Sequence, residues 1–129
     1  MASKIQKVAV IGGATVDNII AYDDVGKNTV FNKQAKQYFL QFLEGQKIEV
    51  NQMHTAIGGA GTNVAVSLTK QGLDVRLLCK LGNDAAATFV LSELKKAKIS
   101  DQWICFDQTA QTAHSYIIPT ATGDRVIFS

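Results

Sequence analysis

The sequence predicts an α/β protein, a parallel sheet with covering helices, and three observations predict it. A short apolar run at residues 8–11 ends in Gly12-Gly13, as buried strands of parallel sheets end in turns. A glycine cluster, Gly58-Gly59-Ala60-Gly61, opens a helix-like run that closes at Gly72. Beyond it, strand-like and helix-like stretches alternate in the order that βα units require.

Taken in order, the first strand covers 7–12 and an irregular segment follows. A helix is expected around 34–44, where Tyr38, Leu40, Phe42 and Leu43 supply an apolar face and Gly45 a stop. The next strand runs from 48 to 56. A helix over 62–71 ends at Gly72, a strand covers 75–80, and Asp84 caps a helix reaching to about Ala97. Residues 103–106 read as a strand. A hairpin then pairs 113–119 with 125–128 around Thr122-Gly123-Asp124, a turn that needs its glycine. No internal repeat, low-complexity tract or linker interrupts the pattern.

Composition narrows the function classes. With 129 residues, 47% of them hydrophobic and 19% charged, the chain has the balance of one globular domain. A net charge of +2 without a dense basic run gives nucleic acid no footprint, since Lys95, Lys96 and Lys98 sit at a helix end where cations are favoured anyway. No apolar stretch reaches membrane-spanning length, the first residues lack a signal-type apolar core, and a cytoplasmic location is expected. Cys79 and Cys105 form no metal spacing and no disulfide framework, and Cys79 reads as a small buried hydrophobe. His54 and His114 lie far apart in strand-like surroundings and read as structural, with His114 keeping a minor claim on the substrate site.

The chemistry is carried by Gly58-Gly59-Ala60-Gly61-Thr62-Asn63. Glycines admit positive φ and close approach, a helix N-terminus favours electron-rich oxygens, and the Asn63 amide both donates and accepts. Such a cradle suits a polyol better than an apolar ligand. The same cluster also serves as a plain strand-to-helix turn, and it lacks both the Lys-Ser/Thr pair of a P-loop and the G-x-G-x-x-G spacing. Asp17, just past the first strand, is placed at the carboxyl end of the sheet, where it is expected to project into the crevice of the glycine cradle; a loop acid is the plainer reading.

In this order, Gly12-Gly13 with Asp17, the cluster at 58–63, and Gly72-Leu73-Asp74-Val75 leading to Leu81-Gly82-Asn83-Asp84, the chain resembles the N-terminal part of a carbohydrate kinase of the ribokinase (PfkB) family. One local departure falls at Ala87, where that family often has glycine, and it bears on the helix start alone. The resemblance implies a ribokinase-like, Rossmann-like three-layer sheet with a small β-sheet lid. Lid strands are expected near 18–22, 48–57 and 113–128, in a surface that often forms a homodimer. It also implies transfer of the γ-phosphate of ATP to a hydroxymethyl group of a sugar or nucleoside, with ATP and magnesium serving the full-length family member. On that footing Asp17 accepts hydrogen bonds from substrate hydroxyls and Asn63 holds another, while Gly58, Gly59 and Gly61 let the backbone approach.

The family's Gly-Ala-Gly-Asp motif, source of the base and the oxyanion cradle, has no counterpart here. The chain therefore reads as the substrate-binding part of a longer kinase, over 1–129, with no catalytic base, no metal ligand and no tightly bound cofactor of its own. Two other classes stay open from the residues: a non-catalytic sugar-binding or regulatory module, and a dinucleotide-binding oxidoreductase domain suggested by residues 8–13, which lacks the G-x-G-x-x-G fingerprint.

Overall fold

The structure, a computed structural model, describes residues 6–129; the expectation drawn from the first residues falls partly outside them. In chain order the elements are β1 (Lys7–Ile11), β2 (Thr15–Ala21), α1 (Val25–Asn28), β3 (Thr29–Asn32), β4 (Gln37–Leu40) and β5 (Gln52–Gly58). There follow α2 (Ala60–Lys70), β6 (Asp74–Gly82), α3 (Ala85–Lys96), β7 (Ile104–Asp107), β8 (Ala113–Pro119) and β9 (Arg125–Phe128). They fall into two compact units: residues up to Val16 with Ala56–His114, and Asp17–Thr55 with Ser115–Ser129.

The first unit holds a parallel sheet in the order β1-β6-β7, with Val10 opposite Leu77 and Lys80 opposite Cys105. Alternation along β6 buries Val75, Leu77, Cys79 and Leu81. They form one core with Val10, Ile104, Ala65 of α2, and Val90 and Leu94 of α3. Burial on this scale is the main stabilising contribution, roughly 1.5–3 kcal/mol for each aliphatic side chain removed from water. Cys79 packs as the small hydrophobe expected, and burial pushes its thiol pKa up.

Helix α3 begins as the sequence requires. Asp84 is its N-cap, its carboxylate accepting from the Ala87 N–H at 2.8 Å, and Ala87 is buried inside the helix with no disturbance at its start. The other Asp84 oxygen accepts from the Thr112 N–H at 2.8 Å, while the Thr112 hydroxyl accepts from the Gly82 N–H at 2.9 Å. Gly82 has no room for a side chain, since a Cβ would stand 2.6 Å from the Ala110 carbonyl oxygen. These donors to Asp84, Thr112 first, hold its carboxyl below the usual carboxylate range.

The second unit contains a four-stranded sheet in the order β5-β2-β8-β9 and a two-stranded hairpin, β3-β4. Strands β8 and β9 pair antiparallel, Ile117 opposite Ile127, around a turn in which Gly123 takes φ +84°. The segments expected at 18–22, 48–57 and 113–128 meet in this sheet, although β5 begins at Gln52 rather than at 48. Asn18, buried on β2, accepts from the Thr55 hydroxyl at 3.0 Å.

The helix expected at 34–44 is absent, and a hairpin stands in its place. The Asn32 side chain accepts from the N–H groups of Gln34 and Ala35, both at 2.9 Å, and Lys36 takes φ +51°, so the backbone turns before a helix can propagate. Phe31 then faces Tyr38 across the pair, ring centroids 5.1 Å apart. The apolar spacing that suggested a helix face comes from strand β4 followed by a separate contact, Phe42 against Tyr22 at 6.1 Å. Tyr22 is buried, just past the end of β2.

Candidate functional site

Strand β1 ends where Gly12 N–H donates to the Leu78 carbonyl at 3.2 Å, and Gly12-Gly13 then passes beside the start of α2. Gly59, the N-cap position of α2, takes φ +94°, a conformation that excludes other residues without strain. A Cβ on Gly59 would lie 2.5 Å from the Gly13 carbonyl oxygen, and one on Gly61 would lie 2.7 Å from the Gly12 carbonyl carbon. The two glycine pairs interlock, and Gly61 N–H donates to Gly13 O at 2.9 Å. Absent side chains at Gly59 and Gly61 thus serve, first of all, the contact of one backbone with another. The sequence shows both glycine pairs but not that they meet.

Thr62 completes the lock. It is fully buried, and its hydroxyl donates to the Gly58 and Gly59 carbonyls, the latter at 2.9 Å. Asn63 N–H donates to Gly59 O at 3.0 Å, so the first turn of α2 is fixed by backbone and hydroxyl contacts without a side-chain cap. Gly58 is buried and Asn63 is exposed on that first turn. Thr62 was not singled out from the sequence; a threonine next to a glycine cluster at a helix start was the available signal.

Asp17 lies on β2, half-buried, between buried Val16 and Asn18. It belongs to a strand rather than to the solvent loop that was its plainer reading. Further along the chain, Asp107 is the most perturbed carboxylate among the described residues. Lys80 Nζ stands 2.5 Å from it, and Thr109 donates to it through both N–H and hydroxyl, which together hold its carboxyl well below the usual range. These partners make it a structural ion pair at the ends of β6 and β7.

Among the described residues no three His, Cys, Asp or Glu side chains are grouped to hold a metal ion. No helix of the described residues is long and apolar enough to cross a membrane.

Residues 7–129 match the pattern of the pfkB family carbohydrate kinases. The chain belongs to that family. Among curated relatives, it is 24% identical over 123 residues to a ribokinase of Staphylococcus aureus (strain COL), covering 95% of this chain and 35% of that protein. Its fold matches the Methanocaldococcus jannaschii nucleoside kinase, an archaeal member of the ribokinase family, with TM-score 0.71 at 21% identity, over 97% of this chain and 36% of the other. It also matches a ribokinase of Cryptococcus neoformans var. grubii serotype A in complex with ADP, with TM-score 0.68 at 18% identity, over 97% and 34%. The chain therefore spans about a third of the length of these pfkB relatives. The predicted α/β class with its parallel sheet is the observed one.

Proposed function

We propose that this chain is the acceptor-binding part of an ATP-dependent kinase that phosphorylates a hydroxymethyl group of a sugar or related small molecule, nucleosides included. Asn63 carries the reading: an amide exposed on the first turn of a helix whose start is locked by Gly12, Gly13 and Thr62. A fixed helix N-terminus favours hydroxyl oxygens, and an amide orients them by donating and accepting at once. Asp17 is assigned a pair of substrate hydroxyls, whose hydrogen bonds to a carboxylate are charge-assisted and strong. Gly58, Gly59 and Gly61 act in this reading by shaping the turn that presents Asn63. ATP and magnesium belong to the full-length kinase, and the base that activates the hydroxyl is assigned to residues outside 1–129. The names of the relatives, ribokinase and nucleoside kinase, support a sugar or nucleoside as the acceptor.

Calorimetric titration with ribose, fructose and a nucleoside tests the assignment. At least one ligand is expected to bind, and Asp17→Ala is expected to weaken it about tenfold or more, the worth of a charged hydrogen bond. Binding that is equal in wild type, Asp17→Ala and Asn63→Ala would remove both residues from the site.

The four-stranded sheet is assigned the role of a lid that also meets a second copy of the chain. Met53, Tyr116, Ile127 and Phe128 on it are exposed at 60%, 47%, 49% and 56%, and exposed strands with apolar side chains favour pairing. Sedimentation at rising concentration should show a dimer that Tyr116→Lys weakens; a monomer throughout would contradict the assignment.

A further inference from the structure

Two cavities, of about 550 and 400 Å³, adjoin within the second unit and share Asp24, Asn28 and Gln46 in their walls. One wall is the segment between β4 and β5, which has no regular secondary structure and is nevertheless tied down at both ends. Gln41 N–H donates to the Asn28 carbonyl at 2.9 Å, and the Asn28 side-chain amide donates to the Gln41 carbonyl at 2.6 Å. At the other end Asn51 N–H donates to the Ala21 carbonyl at 3.0 Å. The cleft is therefore preformed, as small-molecule sites generally are.

Its two parts differ in chemistry. The larger cavity is flanked by Val30, Phe42 and Leu43, all exposed. In the smaller, Asp23 and Glu49 have no ion-pair partner among the described residues, whereas Asp24 is held by Lys27 at 2.7 Å. Lys47 is the other cation on the walls, so three carboxylates stand against two ammonium groups and the cleft is net negative. Tyr22 also lines the smaller cavity; it is more than nine-tenths buried, and its hydroxyl has no hydrogen-bond partner. Burial and then the Asp24 charge raise its pKa, which places the hydroxyl in a negative potential beside the acid common to both cavities. Such a hydroxyl is costly unless something pairs with it, and in a negative potential the favoured partner is a positively charged donor. No three His, Cys, Asp or Glu side chains among the described residues are grouped to hold a metal ion, so the donor that fits is organic. The Tyr22 and Phe42 rings, with centroids 6.1 Å apart and planes inclined at 51°, add faces that attract a cation.

We propose that this cleft binds a small organic cation, an ammonium or guanidinium group on a short apolar stem. Asp23, Glu49 and the Tyr22 hydroxyl receive the charged head, and Phe42 and Leu43 receive the stem. The site is independent of the acceptor reading, since neither Asp17 nor Asn63 lines either cavity.

The probe is n-butylguanidinium, titrated calorimetrically into the full chain, with n-butanol as its uncharged match. The cation is expected to bind at a single site, and the alcohol at least about tenfold more weakly. Tyr22→Phe should weaken the cation about tenfold, the worth of a hydrogen bond to a charged group, while melting no lower than wild type, which separates a lost contact from a folding defect. Asp23→Asn and Glu49→Gln should weaken it similarly. Asp101→Asn, which removes an exposed carboxylate from the first unit, should leave the affinity unchanged. No binding at millimolar probe, equal binding of n-butanol, wild-type affinity in Tyr22→Phe, or an equal loss in Asp101→Asn would each overturn the proposal. So would displacement of the probe by inorganic phosphate or by magnesium, which would assign the cleft to an anion held by Lys27 and Lys47 or to a metal ion.

Discussion

At the residue scale, glycine and threonine at the start of α2 show how a motif can be found by sequence and still be understood only in three dimensions. The cluster at 58–63 was legible because three glycines in four positions stand directly ahead of a helix pattern. Its partner was not, because Gly12-Gly13 lies more than forty positions away and no local pattern records which backbone a missing Cβ makes room for. Tyr22 makes the same point from the other side. Its ring is buried against Phe42, burial and then Asp24 raise its hydroxyl pKa, and the hydroxyl has no hydrogen-bond partner among the described residues. An unpaired buried hydroxyl is destabilising, so Tyr22→Phe should raise the unfolding free energy by about 1 kcal/mol in urea denaturation. A loss of similar size would show that the hydroxyl is satisfied in solution.

The element scale separates what local signals decide from what tertiary pairing decides. Helix α3 was legible down to its cap, because Asp84 ahead of an alanine-rich run is a local signal. The hairpin β3-β4 was not, because Tyr38, Leu40, Phe42 and Leu43 give an apolar helix face while 38, 40 and 42 also alternate as a strand does, and the turn chemistry at Asn32 decided between them. Carboxylates tie these elements at their ends, and that gives a pH signature. Asp84 and Asp107 both have folded pKa values depressed below their unfolded ones, Asp84 by Thr112 and Ala87, Asp107 by Lys80 and Thr109. A group depressed on folding contributes its stability fully above the unfolded carboxylate value of about 4 and loses it as pH falls through the folded value. Melting temperature should therefore drop as pH is lowered below about 4, and the drop should be shallower in Asp84→Asn and Asp107→Asn. An unchanged slope in both variants would assign the acid sensitivity elsewhere.

For the whole molecule, the sheet order β1-β6-β7 and the separate β5-β2-β8-β9 sheet match the expected class, since βα alternation and the β8-β9 hairpin were both visible as patterns. Which face of the parallel sheet α2 and α3 cover was not visible, because it follows from the direction of successive crossovers. The central claim is that this chain holds a phosphoryl acceptor and lacks the groups that move the phosphoryl group. Phosphoryl transfer depends on positioning together with charge stabilisation at the moving group, and one oxyanion donor alone is typically worth ~10²–10³ in rate. The most direct test is transfer of label from γ-labelled ATP, with magnesium, to pentoses, hexoses and nucleosides by the purified chain. The account predicts no transfer above the level of a protein-free control. Turnover that survives exhaustive purification and vanishes in Asp17→Ala would contradict it, and would place a complete phosphotransferase within residues 1–129.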